Sequence, residues 1–368
     1  MAIRKKAAAS AKAVQAKPAD RFFEKELAGD AAPSFATLRE LYLATLAFFA
    51  LEPWKTLSDS ELIAVQDPVS SQRGFCCIMG ALGEIFSLHV FLGTEGFRVF
   101  DAIQSRDPNV TEWMYGSAGS LTAEMVPRAE LKPQDRELLR ALDHPMKPGQ
   151  LVPIFRAQRK GYLPWCVTEA DAKLLTFCVK AATEMVLHLM PHADRKYWSR
   201  RKYLPLIAPT KNDGAFAIEM IPAPDLSKMV LEMPVWDAGR VNAIRAAAFP
   251  TQGVLEVDHF YTAASVGVTD QRKSCVGMAL VVDAHSAAVL KPDISKPGAS
   301  ASSAMVEVLL GAIESTQTLP KEVHVRDRHK KTEMEPLAKA LGFALKAASS
   351  MPAFDFAKQQ LSQMLGYR

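Results

Sequence analysis

The stretch GVLEVDHFYTAASVGV (residues 253–268) is followed by two further apolar runs, CVGMALVVD (residues 275–283) and AAVLKPDI (residues 287–294). The runs contain many β-branched residues, and polar, turn-forming residues separate each from the next. This pattern predicts three consecutive strands. Because the intervening segments are short, the strands are expected to form a meander.

The chain beyond these runs alternates between helical and extended patterns. Residues 302–314 and 333–341 predict helices, whereas residues 322–326 and 343–348 are short extended runs. Three strands followed by alternating helices and strands is the element order of the ribonuclease H-like fold, βββαβαβα. Residues 235–368 are therefore predicted to form a three-layer α/β module that resembles this fold. A fold alone does not identify a function.

The preceding part of the chain predicts a separate α+β module over residues 34–222. Its centre is a β-hairpin, formed by residues 75–79 and 85–92 around a glycine-containing turn. Helical patterns occupy residues 34–49 and 168–190, and residues 151–165 are predicted to be an irregular connection. The Pro-Ala-Pro-Asp run at residues 222–225 is the expected boundary between the modules.

Composition excludes few classes of function. The net charge is +4, but five basic residues precede the first acid, Asp20, so the remainder of the chain is close to neutral. Residues 1–33 are predicted to be a disordered, basic Ala/Lys-rich tail. The five cysteines lack metal-type spacing, which favours reduced thiols in the cytoplasm, and no apolar run is long enough to cross a membrane. No GxGxxG or Walker-type motif is present.

Several motifs resemble a bacterial two-domain family of unknown function. In the first module they are WKTLSD (residues 54–59), GEIFSLHVFLG (residues 83–93) and PIFR (residues 153–156), with GYLPW at residues 161–165. In the second module they are VHVRD (residues 323–327) and the Leu-Gly pair at residues 341–342. The resemblance implies two uncharacterised domains in this order. It implies no activity and no site residues.

Four carboxylates of the second module suggest one enzymatic alternative. Ribonuclease H-type nucleases hold Mg²⁺ or Mn²⁺ with acids from the first strand, the first helix, the end of the fourth strand and a late helix. The corresponding acids here are Asp258, Glu307, Asp327 and Asp355. If they converge on one point, a metal-dependent nuclease is the expected activity.

Two basic segments suggest nucleic-acid binding, because cations neutralise phosphates and aromatic rings stack on exposed bases. The first segment interleaves basic and aromatic residues: Arg195, Lys196, Tyr197, Trp198, Arg200, Arg201 and Lys202. The second contains Arg326, Arg328 and Lys330, where the fourth strand of the predicted sheet ends. The alternative is a solvated connection whose aromatic residues anchor it to the core.

No motif has spacing that compels a catalytic interpretation. The sequence therefore favours a non-catalytic cytoplasmic binding or adaptor protein, without cofactor or metal and without a membrane partner. The metal-dependent nuclease and the nucleic-acid-binding protein remain as alternatives, and a protein partner is also open.

Overall fold

The computed structural model describes residues 21–67, 69–107, 110–116, 119–145, 147–190, 196–198, 203–209, 216–229 and 231–364. Within these ranges the chain forms two mixed β-sheets, each with helices on both faces. The predicted α/β class is confirmed. Residues 1–20, most of the predicted tail, lie outside the described residues.

The N-terminal module contains the first sheet and its helices. The described helices are α1 (Glu24–Leu27), α2 (Phe35–Ala50), α3 (Gly93–Gln104), α4 (Val110–Gly116), α5 (Pro133–Ala141) and α6 (Glu169–Leu189). The described strands are β1 (Ile63–Gln66), β2 (Arg73–Met79), β3 (Phe86–Leu92), β4 (Ser120–Pro127), β5 (Leu151–Gln158), β6 (Tyr203–Pro209) and β7 (Phe216–Pro222). Their spatial order is β5-β4-β3-β2-β1-β6-β7.

Strand parity divides the N-terminal module into two cores. The adjacent residues Cys76 and Cys77 point to opposite faces, as the two-residue period of a strand requires. On the face of Cys76, helices α2 and α6 cover the larger core; on the face of Cys77, α3 and α4 cover the smaller one. Ser34 caps α2 by accepting a hydrogen bond from the Thr37 amide, as its position before the apolar pattern predicts.

Two parts of this module differ from the sequence prediction. Residues 21–33 are not part of a disordered tail, because Phe22, Phe23 and Leu27 are buried in the larger core. Residues 151–158 are not irregular but form the edge strand β5. The proline at position 153 obscured the strand pattern, yet an edge strand tolerates a residue that cannot donate to the ladder.

The C-terminal module contains the second sheet. Its described helices are α7 (Ala238–Ala246), α8 (Ala301–Thr316), α9 (Arg328–Leu341) and α10 (Pro352–Met364). Its described strands are β8 (Val254–Val266), β9 (Ser274–Asp283), β10 (Val289–Ser295), β11 (Glu322–Val325) and β12 (Ala344–Ala347). The fourth strand is followed almost at once by α9, which begins five residues earlier than predicted because Asp327 caps it.

The second sheet has the predicted topology. Strands β8, β9 and β10 form an antiparallel meander, and β11 and β12 join in parallel on the other side of β8, giving the order β10-β9-β8-β11-β12. Helices α7, α8 and α9 cover one face, and α10 covers the other through Phe354 against Phe260. The three-layer, ribonuclease H-like architecture is confirmed.

The modules dock through backbone contacts beside β5. The Cys275 amide of β9 donates to the Gly161 carbonyl at 2.9 Å, and the Leu163 amide donates to the Lys273 carbonyl at 2.9 Å. Gly161 has φ +76°, and a Cβ there would lie 2.2 Å from the Gly298 nitrogen. Only glycine fits this conformation and spacing without strain. The docking leaves a cleft between the modules.

Candidate functional site

The candidate site is a cleft of about 120 Å³ that both modules and their linker line. Helix α3 contributes Glu95 and Arg98, and Lys160 lies in the segment that docks the modules. The opposite wall consists of β8 and the starts of α8 and α9. From now on, "the central cleft" means this space.

The topology places these elements together. β8 and β11 are parallel, so their carboxyl ends reach the same edge of the sheet, and α9 begins there. In open α/β sheets that edge is the usual position for a ligand. His259 and Tyr261 alternate along β8 and both line the cleft, whereas Phe260 between them packs under α10.

The buried carboxylate of Asp258 lies beside the start of α9 at this edge of the sheet and binds two cations there. It forms ion pairs with Lys330 and with Arg326, whose Nε lies 2.9 Å from Oδ2 of Asp258. Burial acts to raise the pKa of Asp258, but these two cations outweigh it and hold that pKa below its ordinary value. Asp258 is therefore a charged residue at neutral pH that fixes the start of α9 against β8.

Across the cleft, Arg98 faces the carboxylates of α9. Burial lowers the pKa of the Arg98 guanidinium, while Asp327, Glu333 and Glu95 act in the opposite direction. An arginine stays protonated even so. Charges of both signs thus face each other between the two modules.

The central cleft shifts the pKa values of two residues of α9, Glu333 and His329. Burial, together with Asp327, raises the pKa of Glu333, although the Ser302 hydroxyl donates a hydrogen bond to its carboxylate. Burial and the nearby Arg98 lower the pKa of His329, so its imidazole is neutral at pH 7. Such shifts in a cleft are typical of functional sites, although ion-pair networks also produce them.

The four predicted metal-binding acids do not come together. Asp258 and Asp355 lie on either side of Arg326, which bonds to both. Asp327 instead accepts hydrogen bonds from the His329 and Lys330 amides as the cap of α9. Glu307 pairs with Arg240 at 2.7 Å on the exposed side of α8, away from the others. The structure therefore does not bring these four carboxylates to one point, and the Arg326 guanidinium lies between Asp258 and Asp355.

The described residues also offer no alternative metal centre, because no group of three or more His, Cys, Asp or Glu side chains among them is arranged to hold an ion. Sequence reasoning found the acids but not their partners, since a strand-order argument says nothing about which cation fills the space between them.

The predicted basic segments are largely structural where they are described. Arg326 and Lys330 are engaged by Asp258, and Arg328 is exposed at the start of α9. Trp198 donates from its indole nitrogen to the Leu62 carbonyl at 2.9 Å, and the Tyr197 hydroxyl lies 2.9 Å from Nε2 of His188. These aromatic residues anchor their segment to the larger core, as the alternative interpretation expected.

The remaining members of the basic-aromatic segment cannot be placed. Arg195, Arg200, Arg201 and Lys202 lie outside the described residues, and the position of the Lys196 side chain is likewise outside them.

Sequence reasoning missed Arg98, Glu333 and the contribution of α3. Arg98 belongs to a module that shares no motif with the edge of the second sheet, so no local pattern links it to the cleft. Glu333 could have been found, because Asp327, Lys330 and Glu333 recur at helical spacing and share a face of α9.

Fold and site together define an α/β protein of two mixed-sheet modules with a charged cleft between them. Residues 39–204 match the model of a family described as "Domain of unknown function (DUF7309)". Residues 241–362 match a second, described as "Domain of unknown function (DUF6930)". The two matches cover the two modules in the predicted order, which confirms the predicted resemblance to a two-domain protein of unknown function. A comparison with curated proteins finds no match.

No described helix has both the length and the apolar character needed to cross a bilayer.

Proposed function

We propose that this protein is a non-catalytic binding module that holds a small zwitterionic ligand, of the size of a free amino acid, in the central cleft. The observation that carries the proposal is the balance of charge on the walls. Four carboxylates (Glu95, Glu232, Asp327 and Glu333) and three cations (Arg98, Lys160 and Lys330) line the space. Walls of nearly cancelling charge do not favour a polyanion such as nucleic acid.

The arrangement of these charges supports a ligand with groups of both signs. Glu95 and Arg98 are three residues apart on α3, so one turn of helix presents both charges to the cleft. Arg98 suits a carboxylate, which it can bind through two parallel hydrogen bonds. The carboxylates opposite suit an ammonium group.

The size of the cleft supports a small ligand. A water molecule needs roughly 10–15 Å³ of such space, so the central cleft has room for about ten waters or a ligand of similar bulk. Apolar contact is available from Tyr261 and from Met229 and Leu231 of the linker. Ligand binding would hold the modules and the linker together.

The cysteines support a cytoplasmic location for this role. All five are buried and none forms a disulfide. Reduced thiols in this number are typical of proteins from a reducing compartment.

The experiment is a thermal-unfolding screen against the standard free amino acids, with inorganic phosphate and AMP as comparison anions, followed by calorimetry. We expect one or a few amino acids to raise the unfolding midpoint, because a ligand that binds only the folded state stabilises it. Arg98→Gln and Glu333→Gln should each weaken binding by about tenfold or more, since each removes a charged hydrogen-bonding partner.

Matched controls exist on the same helices. Arg106→Gln alters an exposed arginine just beyond α3, and Glu335→Gln alters a carboxylate of α9 that is 45% exposed and pairs with Lys339. Both should bind like the parent. If no amino acid binds at millimolar concentration, or if the cleft and control variants behave alike, the proposal fails.

A further inference from the structure

A second cavity, of about 230 Å³, lies inside the N-terminal module between its sheet and helices α3 and α4. Its floor consists of alternate residues from neighbouring strands, among them Cys77 of β2 and His89 and Phe91 of β3. Its roof includes Val99, Phe100 and Ile103 of α3, and Met114 of α4. We call this space the N-terminal cavity. Arg98 and the other residues of the central cleft do not line it.

The two titratable groups inside the N-terminal cavity, His89 and Cys77, are uncharged, whereas the carboxylate of Asp59 lines its exposed side. Burial lowers the pKa of His89 to about 4 and raises the pKa of Cys77 to about 12, so the imidazole and the thiol are both neutral at pH 7. The other walls are mainly apolar. A charged ligand would lose its hydration in the interior of the cavity without gaining a counter-charge there, because the only lining carboxylate that the structure describes, Asp59, lies on the exposed side.

Most polar atoms of the walls already have partners. The Cys77 thiol donates to the Asp59 carbonyl at 3.1 Å, and the Gln158 amide donates to the Met114 carbonyl at 2.6 Å. His89 differs, because its Nδ1 lies 3.4 Å from the Thr122 hydroxyl while its Nε2 has no hydrogen-bond partner among the described residues. His89 lines the cavity, so the hydroxyl group of a bound molecule can supply a partner for this nitrogen.

We infer that the N-terminal cavity is a binding site for a small, neutral, mainly apolar molecule that carries one hydroxyl group, which pairs with Nε2 of His89. A hydroxyl both donates and accepts, so it complements either neutral tautomer of the imidazole. The size also fits, since an apolar cavity of about 150 Å³ accommodates benzene. The space here is large enough for a substituted ring. Ile103, 41% exposed, and the exposed residues Asp59 and Gln104 form a route of entry.

The test uses p-cresol and toluene, which share a shape and differ in the hydroxyl group. Calorimetry on the full-length protein should show both binding, with p-cresol about fivefold tighter, as expected for one net hydrogen bond. His89→Phe keeps an aromatic side chain and should abolish this preference while leaving toluene binding. In the parent protein, p-cresol but not toluene should shift the ¹⁵N resonance of His89 Nε2.

A blocking variant separates occupancy of the cavity from binding elsewhere. Ile103→Trp adds bulk at the mouth and should reduce binding of both probes at least tenfold. Leu43→Trp is its control, because Leu43 is a similarly exposed apolar residue, at 48%, on the outer side of α2. Far-UV circular dichroism checks that each variant is folded.

Three outcomes would overturn the inference. The parent protein could bind neither probe at millimolar concentration, Ile103→Trp could bind both as well as Leu43→Trp does, or His89→Phe could retain the preference for p-cresol. None of these results depends on amino-acid binding in the central cleft.

Discussion

Two regions of the molecule, the edge of the second sheet and the N-terminal cavity, treat buried ionisable groups in opposite ways. At the edge of the second sheet, Asp258 stays charged because Lys330 and Arg326 bind it directly. In the N-terminal cavity, His89 and Cys77 are neutral because burial disfavours their charged forms and no opposite charge compensates. Burial penalises a charge in both places, and the presence or absence of a partner decides the protonation state.

This difference has a consequence for ligands. A paired, charged edge beside the central cleft suits a ligand that carries charges, whereas a neutral cavity suits an uncharged one. The two proposed sites therefore select different chemistry within one chain. Four variants test the comparison.

The largest effect is expected for Asp258→Asn. The uncharged amide of asparagine cannot neutralise the positive charges of Lys330 and Arg326. Breaking a buried ion pair by removing one partner costs about 3–5 kcal/mol of stability. The measurement is the free energy of unfolding in urea at pH 7. If the free energy of unfolding falls by less than about 1 kcal/mol, Asp258 does not stabilise the edge of the second sheet. The contrast between this charged edge and the neutral N-terminal cavity would then disappear.

The next effect concerns pH. Because the folded-state pKa of His89 is about 4 against an ordinary value of 6.5, the unfolded chain binds more protons between these values. The resulting stability is complete above about pH 6.5 and is lost as pH falls toward 4. It amounts to at most about 3 kcal/mol, since a shift of one pKa unit corresponds to about 1.4 kcal/mol.

Asp258 acts in a lower range, because its depressed pKa contributes stability that is present above about pH 4 and lost only below it. When the free energy of unfolding is measured from pH 7 down to pH 3, it should therefore decrease first because of His89 and, at lower pH, because of Asp258. His89→Phe should reduce the first slope, with a remainder from His144 and His329, whose pKa values burial also lowers. An unchanged slope in His89→Phe would contradict the assignment.

A smaller effect is expected for Gly161→Ala, which tests whether the central cleft depends on docking. The added Cβ meets the backbone at Gly298 and the residue has φ +76°. Gly149→Ala is the matched control, since Gly149 has the same φ, +76°, and nothing within 4 Å of a Cβ. The conformational penalty of about 1 kcal/mol is common to both variants.

The difference in stability between Gly161→Ala and Gly149→Ala therefore measures the effect of the contact with the Gly298 backbone. Gly161→Ala should lose at least about 1 kcal/mol more than Gly149→Ala. It should also increase proteolytic cleavage in the linker at residues 223–237 and weaken ligand binding in the central cleft. Binding of p-cresol in the N-terminal cavity should persist. Equal behaviour of the two variants would show that this contact does not join the modules.

The smallest effect is expected for Asp355→Asn. Asp355 bonds to the same Arg326 as Asp258 does, but its side chain is 52% exposed. An exposed ion pair contributes about 0–1 kcal/mol, so urea unfolding should be nearly unchanged. If Asp355→Asn lost as much stability as Asp258→Asn, the exposure of Asp355 would not make its ion pair with Arg326 weaker than that of Asp258.

Much of the fold follows from local sequence patterns. Strand periodicity can be recognised in a short stretch of consecutive residues. It accounts for the meander at residues 253–294, the hairpin at residues 75–92 and the opposite orientations of Cys76 and Cys77. The edge strand β5 and the packed residues 21–33 were missed for physical reasons. A proline interrupts the first pattern. The second segment is ordered by contacts with distant helices such as α6, where the Glu169 amide donates a hydrogen bond to the Ala31 carbonyl at 2.9 Å.

The candidate site was less predictable than the fold. Asp258, Asp327 and Lys330 were identified from the sequence, but no linear pattern indicated that Lys330 and Arg326 would pair with Asp258. Arg98 and His89 were not identified, because Arg98 belongs to no motif and the motif that contains His89 implies no site residues.

By itself, the sequence determined the order of strands and helices in the second module, the presence of two modules and the alternation of side-chain direction along the strands it identified. These features depend on neighbours in the chain. Tertiary structure alone decided which charges meet, that Arg98 of α3 faces α9, and that His89 opens into a cavity. Such contacts join residues far apart in sequence, and the energies of ion pairs and buried polar groups depend on distances and burial that no linear pattern records.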